Sequence, residues 1–405
     1  MAKAQSSRLL TINTGSSSLK AALYDVAAPA PRLVLAAKVE RIGLDDGHAC
    51  LTTAHGEMLF DEHKNVPDHR AALLFLLDGL RHTEYHESPC AVGHRVVHGG
   101  RRHSEPHIIT DELLEELRLL IPIDPAHLPQ AIEAIETVGD SYPTVLQVAC
   151  FDTAFHRHMP RVAQIYPLPQ RFEEAGVLRY GFHGISYESI MEQLRCLDPA
   201  AYAGRVVIAH LGNGASMAAV KGGKSVDTTM GFTPTGGLMM GTRAGDLDPG
   251  VVLHLLDLEG GNAGALSDLL NKKAGLIGLS GLSADMQDLL EQESSSSQAA
   301  DAVDLFCYQA RKFLGALVTT LGGLDVLAFT AGIGEHAAPI RERICDGLNY
   351  LGIELDPQRN QNNRRSISAD GSSVRVLVLP TDEDLMIAGH TQRLMAEAGG
   401  LHVPV

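Results

Sequence analysis

The stretch LLTINTGSSSLKAALYD, Leu9 to Asp25, decides how the rest of the chain is read. An apolar run enters three serines and a lysine, then leaves as a second apolar run. A phosphate-binding P-loop needs two glycines separated by four residues and followed by Lys and Ser or Thr, but only Gly15 is present. On either side, Leu10 and Ile12, then Leu19, Ala21 and Leu23, recur at the strand period of two. The segment therefore predicts a β-hairpin whose turn carries a glycine, hydroxyls and the Lys20 ammonium. A serine linker and a nucleotide P-loop both fit it worse.

The plan recurs in RVVIAHLGNGASMAAVKGGK, from Arg205: an apolar strand, a small polar turn containing glycine, and a strand of small residues. Two such hairpins, roughly half a chain apart, suggest two domains of similar topology. A length of 405 residues also favours two cores over one. Helical periodicity appears in Asp68–Arg81, Thr110–Leu120 and Pro129–Val138. Apolar strand candidates are Thr144–Ala149, Arg205–Leu211, Val326–Thr330 and Val374–Leu379. Such alternation predicts α/β architecture with substantially parallel sheets. The serine-rich stretch Glu291–Ala300 reads as an exposed loop or a helix start.

Composition narrows the function. With 45% apolar and 20% charged residues the chain is ordinary globular protein, and its formal charge of −16 disfavours a nucleic-acid surface or an anionic membrane. MAKAQSSR lacks the apolar region of a signal peptide and no apolar run is long enough to cross a bilayer, so a cytoplasmic location is expected. Six cysteines (Cys50, Cys90, Cys150, Cys196, Cys307, Cys345) have no close pairing and read as reduced thiols. His94 and His98 would share a helical face, but GHRVVHGG reads as a strand end, which argues against a two-histidine metal site.

The chemistry gathers around glycine-containing turns. Ser16, Ser17, Ser18 and Lys20 offer hydroxyl donors and a compact charge, a set equally at home in a structural turn. AFTAGIGEHAAPIRERI places a Gly-rich turn after the strand ending at Thr330, with backbone N–H groups able to receive an anion. GFTPTGGLMMGTRAGDLDPG, from Gly231, is a long aperiodic loop with Arg243 beside Asp246 and Asp248. Arg243 there is either a clamp on phosphate or carboxylate, or one half of an ion pair that fixes the loop. Met239 and Met240 read as packing residues. Arg95 and Asp152 stand where strands end, the favoured place for sites in open α/β sheets. His183 and His210 precede glycine turns, and Glu383 after a strand suits a magnesium carboxylate, with Asp382 as a competing helix cap.

INTGSSSLK, GHRVVHGG, FDTAFH, YGFHGIS, HLGNGAS, GGLMMGTRAGDLDPG, FTAGIGEH and PTDEDL, in this order over nearly the whole chain, closely resemble the acetate kinase family. The resemblance implies the acetate and sugar kinase, Hsp70 and actin superfamily: two duplicated actin-like, ribonuclease H-like α/β domains, an interdomain active-site cleft, and a homodimer. It implies a first domain of residues 1–152 plus about 386–405, closed by the C-terminal helix, and a second of 153–385. It also implies Mg2+-dependent transfer of phosphoryl from ATP to acetate, giving acetyl phosphate and ADP, with Mn2+ as an alternative ion.

Carried over by motif, Asn13 and Glu383 would organise the metal, while Ser16, Ser18 and Lys20 would lie near the phosphates. Arg95, Asp152, His183, Arg243 and His127 of DPAHLPQ would be catalytic, and Arg95, Val97 and Phe182 would receive the acid. His210, Leu211, Gly212, Asn213 and Gly214 would contact phosphate. Asp285, Met286, Gln287 and the Gly332, Ile333, Gly334 turn would border the nucleotide. Two departures are expected to matter. GFHGISY has Tyr187 where the family has a second histidine, and SADMQD has Met286 and Gln287 where SSDFRD is usual. Three other readings stand beside acetate kinase: a propionate or butyrate kinase, a non-ATP phosphoryl donor, and a catalytically silent nucleotide-binding protein.

Overall fold

The structure is a computed structural model and describes residues 7–15 and 17–399. Ser16, expected near the phosphates, and the end of the expected C-terminal segment lie outside the described residues. The opening hairpin forms from β1 (Arg8–Thr14) and β2 (Ser18–Asp25), with Asn13 opposite Lys20 and Thr14 opposite Leu19. Its turn is closed by Gly15 N donating to Ser18 O at 2.8 Å. It is tied down by His69 Nε2, which donates to Gly15 O at 2.8 Å.

The period of two in β1 conceals burial on both faces. Leu10 and Ile12 join Leu19, Leu23, Leu35 and Leu51 under Leu73, Leu76 and Leu77 of the helix His69–Arg81. Leu9, Ala22, Tyr24 and Ala91 face the other way, onto Ala388 of the helix Glu383–Gly399. The sheet continues with β3 (Arg32–Glu40), β4 (His48–Thr53), β5 (Met58–His63), β6 (Ala91–Val96), β7 (His107–Ile108) and β8 (Leu146–Phe151). Among the described residues it has eight strands in the order β5-β4-β3-β2-β1-β6-β8-β7. The first five form an antiparallel meander, while β6 and β8 run parallel to β1.

The second sheet comprises β9 (Arg205–Leu211), β10 (Ala215–Lys221), β11 (Lys224–Thr228), β12 (Val326–Thr330) and β13 (Arg375–Val378), in the order β11-β10-β9-β12-β13. Its first three strands are antiparallel, and β12 and β13 run parallel to β9. Removing β4, β5 and β7 from the first sheet leaves the same plan, third-second-first-fourth-fifth. The likeness between the two hairpins thus extends to a duplicated α/β topology.

The chain divides into one unit running to Ala154 and resuming at Asp382, and a second from Phe155 to Thr381. A border between 385 and 386 would cut the helix Glu383–Gly399 near its start, so Glu383 travels with the first unit. Local signals place the helices well. Asp68 caps the helix at His69, accepting from Ala71 N at 2.7 Å, and Thr110 caps Asp111–Leu120. Within the serine-rich stretch, Ser296 caps the 25-residue helix Ser297–Leu321. The expected Gly-rich turn after β12 is instead the short helix Ala331–His336, which begins directly at the strand end. The six cysteines are free, and among the described residues no helix is long and apolar enough to cross a membrane.

Close contact between sheet and C-terminal helix depends on Gly93 in β6. A Cβ there would lie 2.3 Å from Thr391 Oγ1 and 2.6 Å from Ile387 Cγ2. Gly93→Ala is expected to destabilise the protein by about 1–3 kcal/mol through overpacking. Urea unfolding checks this, and an unchanged midpoint would mean that the helix yields without cost.

Candidate active site

In the first unit, parallel β1, β6 and β8 deliver Asn13, Arg95 and Asp152 at or near their carboxyl ends. Arg95 Nε donates to both Asp152 oxygens, at 3.1 and 3.0 Å, and Nη2 donates to Oδ2 at 2.6 Å. Arg95 Nη1 donates to Asn13 Oδ1 at 3.1 Å, and Asn13 Nδ2 donates to Glu383 Oε2 at 2.9 Å. Glu383 Oε2 also stands 4.0 Å from Arg95 Nε. One amide therefore orients both the guanidinium and the carboxylate.

Burial works against both charges of the Arg95–Asp152 pair. It pushes the fully buried Asp152 carboxyl above its ordinary range, with Arg95 pulling it down. For Arg95, burial lowers the pKa, but Asp152 and Glu383 outweigh it and the net direction is upward. Fork-to-fork pairing gives Asp152 the role of a fixed counter-ion. His127 lies at the start of the helix Leu128–Ser141 with Nδ1 2.8 Å from Asp124 Oδ1. Asp124 is buried and contributes to the field on Arg95, a role the sequence reading missed.

Asp384 was also missed. It accepts from Thr11 Oγ1 at 3.1 Å, and burial, followed by neighbouring Glu383, pushes its pKa up to about 6. The oxygen-only set of Glu383 and adjacent Asp384, braced by the Asn13 amide, fits Mg2+, which takes few protein oxygens and keeps waters. Lys20, opposite Asn13 across the hairpin, is exposed, and Ser18 opens β2 beside the turn. Val97, just beyond β6, is buried in this unit.

In the second unit, the β9–β10 turn Gly212–Asn213–Gly214 is the point where the other candidates meet. Leu211 ends β9 and is buried. His183, at φ 57°, occupies the left-handed region just before the helix Gly184–Leu197. Its Nδ1 lies 2.9 Å from Ser216 Oγ, and its ring stacks on His210 at a centroid distance of 4.1 Å. His210 Nδ1 in turn meets Ser186 Oγ at 2.8 Å. A Cβ added to Gly214 would lie 3.1 Å from His183 Nε2, so the bare turn makes room for the imidazole, and it would reach ordinary contact, 3.9 Å, with Arg243 Nη1. The third glycine-rich segment is close as well: Ala331 Cβ would stand 3.5 Å from a Cβ on Gly212. That places Gly332, Ile333 and Gly334, in the first turns of their short helix, near the hairpin.

The long loop is fastened by its acidic residues. Asp246 accepts from Gly237 N at 2.7 Å, and Asp248 caps the helix Pro249–Leu258 by accepting from Gly250 N at 2.6 Å. Arg243 Nη1 donates to Pro234 O at 3.1 Å and lies 3.8 Å from Met240 Sδ. Gly241 N donates to Asn213 O at 3.0 Å, pinning the loop to the hairpin turn.

Four expected residues take quieter places. Asp285 caps the helix Met286–Gln292, accepting from Gln287 N at 2.7 Å, and Met286 is buried. Gln287 donates along the helix surface to Glu291 at 3.0 Å. Phe182 is buried, and its carbonyl accepts from His156 Nε2 at 3.1 Å.

The family model of the acetokinase family matches residues 8–389. The chain belongs to the acetokinase family. Among its relatives, the acetate kinase of Methylocella silvestris is 44% identical over 96% of this chain and 98% of its own. The crystal structure of Porphyromonas gingivalis acetate kinase matches at a TM-score of 0.85 and 38% identity, over 96% of this chain and all of that one. A propionate kinase from Francisella tularensis matches at 0.88 and 35%, over 96% of this chain and 99% of its own.

Within this acetokinase fold, Tyr187 acts on His183 from behind. It is fully buried, and its hydroxyl is hydrogen-bonded to Ser216 Oγ, the atom that meets His183 Nδ1. If the phenol donates to Ser216 and Ser216 donates to Nδ1, the imidazole proton is left on Nε2. Tyr187→Phe removes the first donor and is expected to lower kcat about tenfold with little change in KM. An unchanged kcat would show that Ser216 holds the tautomer unaided.

Proposed function

We propose that the chain catalyses reversible transfer of the γ-phosphoryl group of ATP to acetate. The observation that carries this reading is the Arg95 guanidinium, oriented by Asn13, anchored by Asp152 and set beside Glu383. Acetate is already an anion and needs no base to attack. A carboxylate oxygen forms a bond to the γ-phosphorus as the bond to the β–γ bridging oxygen breaks, and the electron pair leaves on ADP. The obstacle is repulsion between anions, which is met by positioning and electrostatics.

Arg95 receives the acid carboxylate, with Val97 and Phe182 as the apolar residues against its methyl group. Asp152 holds Arg95 in place, and His127, steered by Asp124, adds a donor. Arg243 and His183 Nε2 take up charge on the phosphoryl oxygens. Ser18, Lys20, His210 and the Leu211–Gly214 turn contact phosphate. Asp285, Met286, Gln287 and Gly332–Gly334 border the nucleotide. Glu383 would hold Mg2+, or Mn2+, with Asp384 adjacent and Asn13 orienting, and the ion when bound would neutralise phosphate charge.

Trapping acyl phosphate as hydroxamate with ATP, Mg2+ and acetate tests the proposal. Nucleotide binding without product would favour a silent binding protein, and product from pyrophosphate in place of ATP would change the donor. A second reading, propionate as the preferred acid, rests on the similarity to a propionate kinase. One methylene in an apolar pocket is worth only about 1–3 kcal/mol. We expect kcat/KM to favour acetate among acetate, propionate and butyrate, and a clear preference for either longer acid would displace it.

A further inference from the structure

We propose that the outer face of the β3–β5 meander binds one divalent transition-metal ion through His48, Asp61 and His63. Among the described residues, these form the one group of three or more His, Cys, Asp or Glu side chains whose donor atoms all lie within 4.8 Å of one another. The site belongs wholly to the first unit and depends on neither the acid nor the nucleotide. His48 stands 13 and 15 positions before Asp61 and His63, a spacing that matches no zinc motif, so strand pairing brings it to them.

The register does this simply. His48 of β4 pairs directly with His63 of β5, and Asp61 lies two residues before His63 on the same side of its strand. Ala49 and Leu51, on the opposite side of β4, are buried in the core, so His48 faces outward. The two imidazoles stack at 4.6 Å between centroids, and His48 Nε2 lies 2.6 Å from Asp61 Oδ1. Around a tetrahedral ion with bonds of about 2.0 Å, neighbouring donors stand roughly 3.3 Å apart. His63 and Asp61 are exposed, which leaves their side chains free to close the remaining gap.

Support for the ligating geometry comes from behind the histidine. Glu40 of β3 pairs with His48, and its Oε2 lies 4.0 Å from His48 Nδ1. With Nε2 on an ion, the Nδ1–H would face this carboxylate, the arrangement that fixes the tautomer and orientation of metal-bound histidines. Glu40 is itself held by Lys38, 2.6 Å away. Two imidazole nitrogens and one carboxylate favour Zn2+, Co2+, Ni2+ or Cu2+ over Mg2+, whose preference is for oxygen alone. This separates the site from the all-oxygen set around Glu383. The ion would join β4 to β5, the edge strand of the sheet.

The test uses the full chain, stripped with chelator and titrated with Co2+ and then Zn2+ in excess Mg2+, which occupies the oxygen site. We expect uptake of one ion per chain with a Co2+ ligand-field spectrum, and a higher Tm with Zn2+ as ligand binding predicts. His63→Asn and His48→Gln should each weaken binding at least about tenfold, and Glu40→Gln by about tenfold. His63→Asn should leave metal-free Tm and Mg2+-dependent turnover unchanged, separating loss of the ion from loss of fold. No uptake, equal uptake by wild type and His63→Asn, or binding that follows Cys50→Ser and not His63→Asn would overturn the proposal.

Discussion

Arg243→Ala is expected to lower kcat by about a thousandfold while the folded structure persists. A positioned donor acting on transition-state charge is worth about 10²–10³ in rate, and an arginine serving transferred phosphoryl about 10³–10⁵. The side chain donates to Pro234 O and stands near the bare Gly214 turn. The loop is also held by bonds from Asp246, Asp248 and Asn213, so its shape does not rest on the guanidinium alone. Arg243→Lys keeps the charge and loses the fork, and should recover only part of the rate. Turnover and thermal unfolding measured together decide the matter. Near-normal kcat in the alanine variant would remove Arg243 from the mechanism, and collapse of the fold would make its role structural.

Asp152→Asn should both destabilise and inactivate the protein. The substitution preserves shape but removes the counter-ion of a guanidinium whose side chain is only 14% exposed. Breaking a buried pair from one side costs about 3–5 kcal/mol, and Glu383 at 4.0 Å compensates only in part. Loss of the fork would also free Arg95 from the orientation in which we propose it receives the acid. Replacing both members with leucine separates the two effects, because an apolar pair of similar volume restores stability without restoring charge. The double variant is expected to regain most of the lost Tm and none of the activity. If Asp152→Asn unfolds at the wild-type midpoint, the pair contributes nothing to stability and Asp152 must be reconsidered as a direct participant.

The legible parts of this protein were those written locally. Both hairpins, the caps at Asp68 and Thr110, and β9 and β12 follow from periodicity and turn chemistry over a few residues. Arg95 and Asp152 could be picked out because strand ends are where α/β sheets place chemistry. Their mutual pairing could not, since it joins residues 57 positions apart. Asp384 was overlooked for the same reason: its partner Thr11 is 373 positions away. Ser216 and Tyr187 look like an ordinary strand serine and an apolar helix residue until folding stacks them behind His183. Met286, expected to border the nucleotide, is buried in the first turn of its helix, a packing environment that the motif position alone does not reveal.

The position of Glu383 has a further consequence, for biosynthesis. Asn13 leaves the ribosome 370 residues before the carboxylate it orients, and Gly93 long before the helix that covers it. Until the helix Glu383–Gly399 emerges, one face of β1 and β6 is without its cover. The second unit has all its described strands between Arg205 and Val378 and can complete its sheet first. At about 5–20 residues per second, the first unit waits some tens of seconds with apolar surface open to solvent. The half of the protein made first is thus the half that matures last, and nascent-chain aggregation should be governed by its N-terminal sheet.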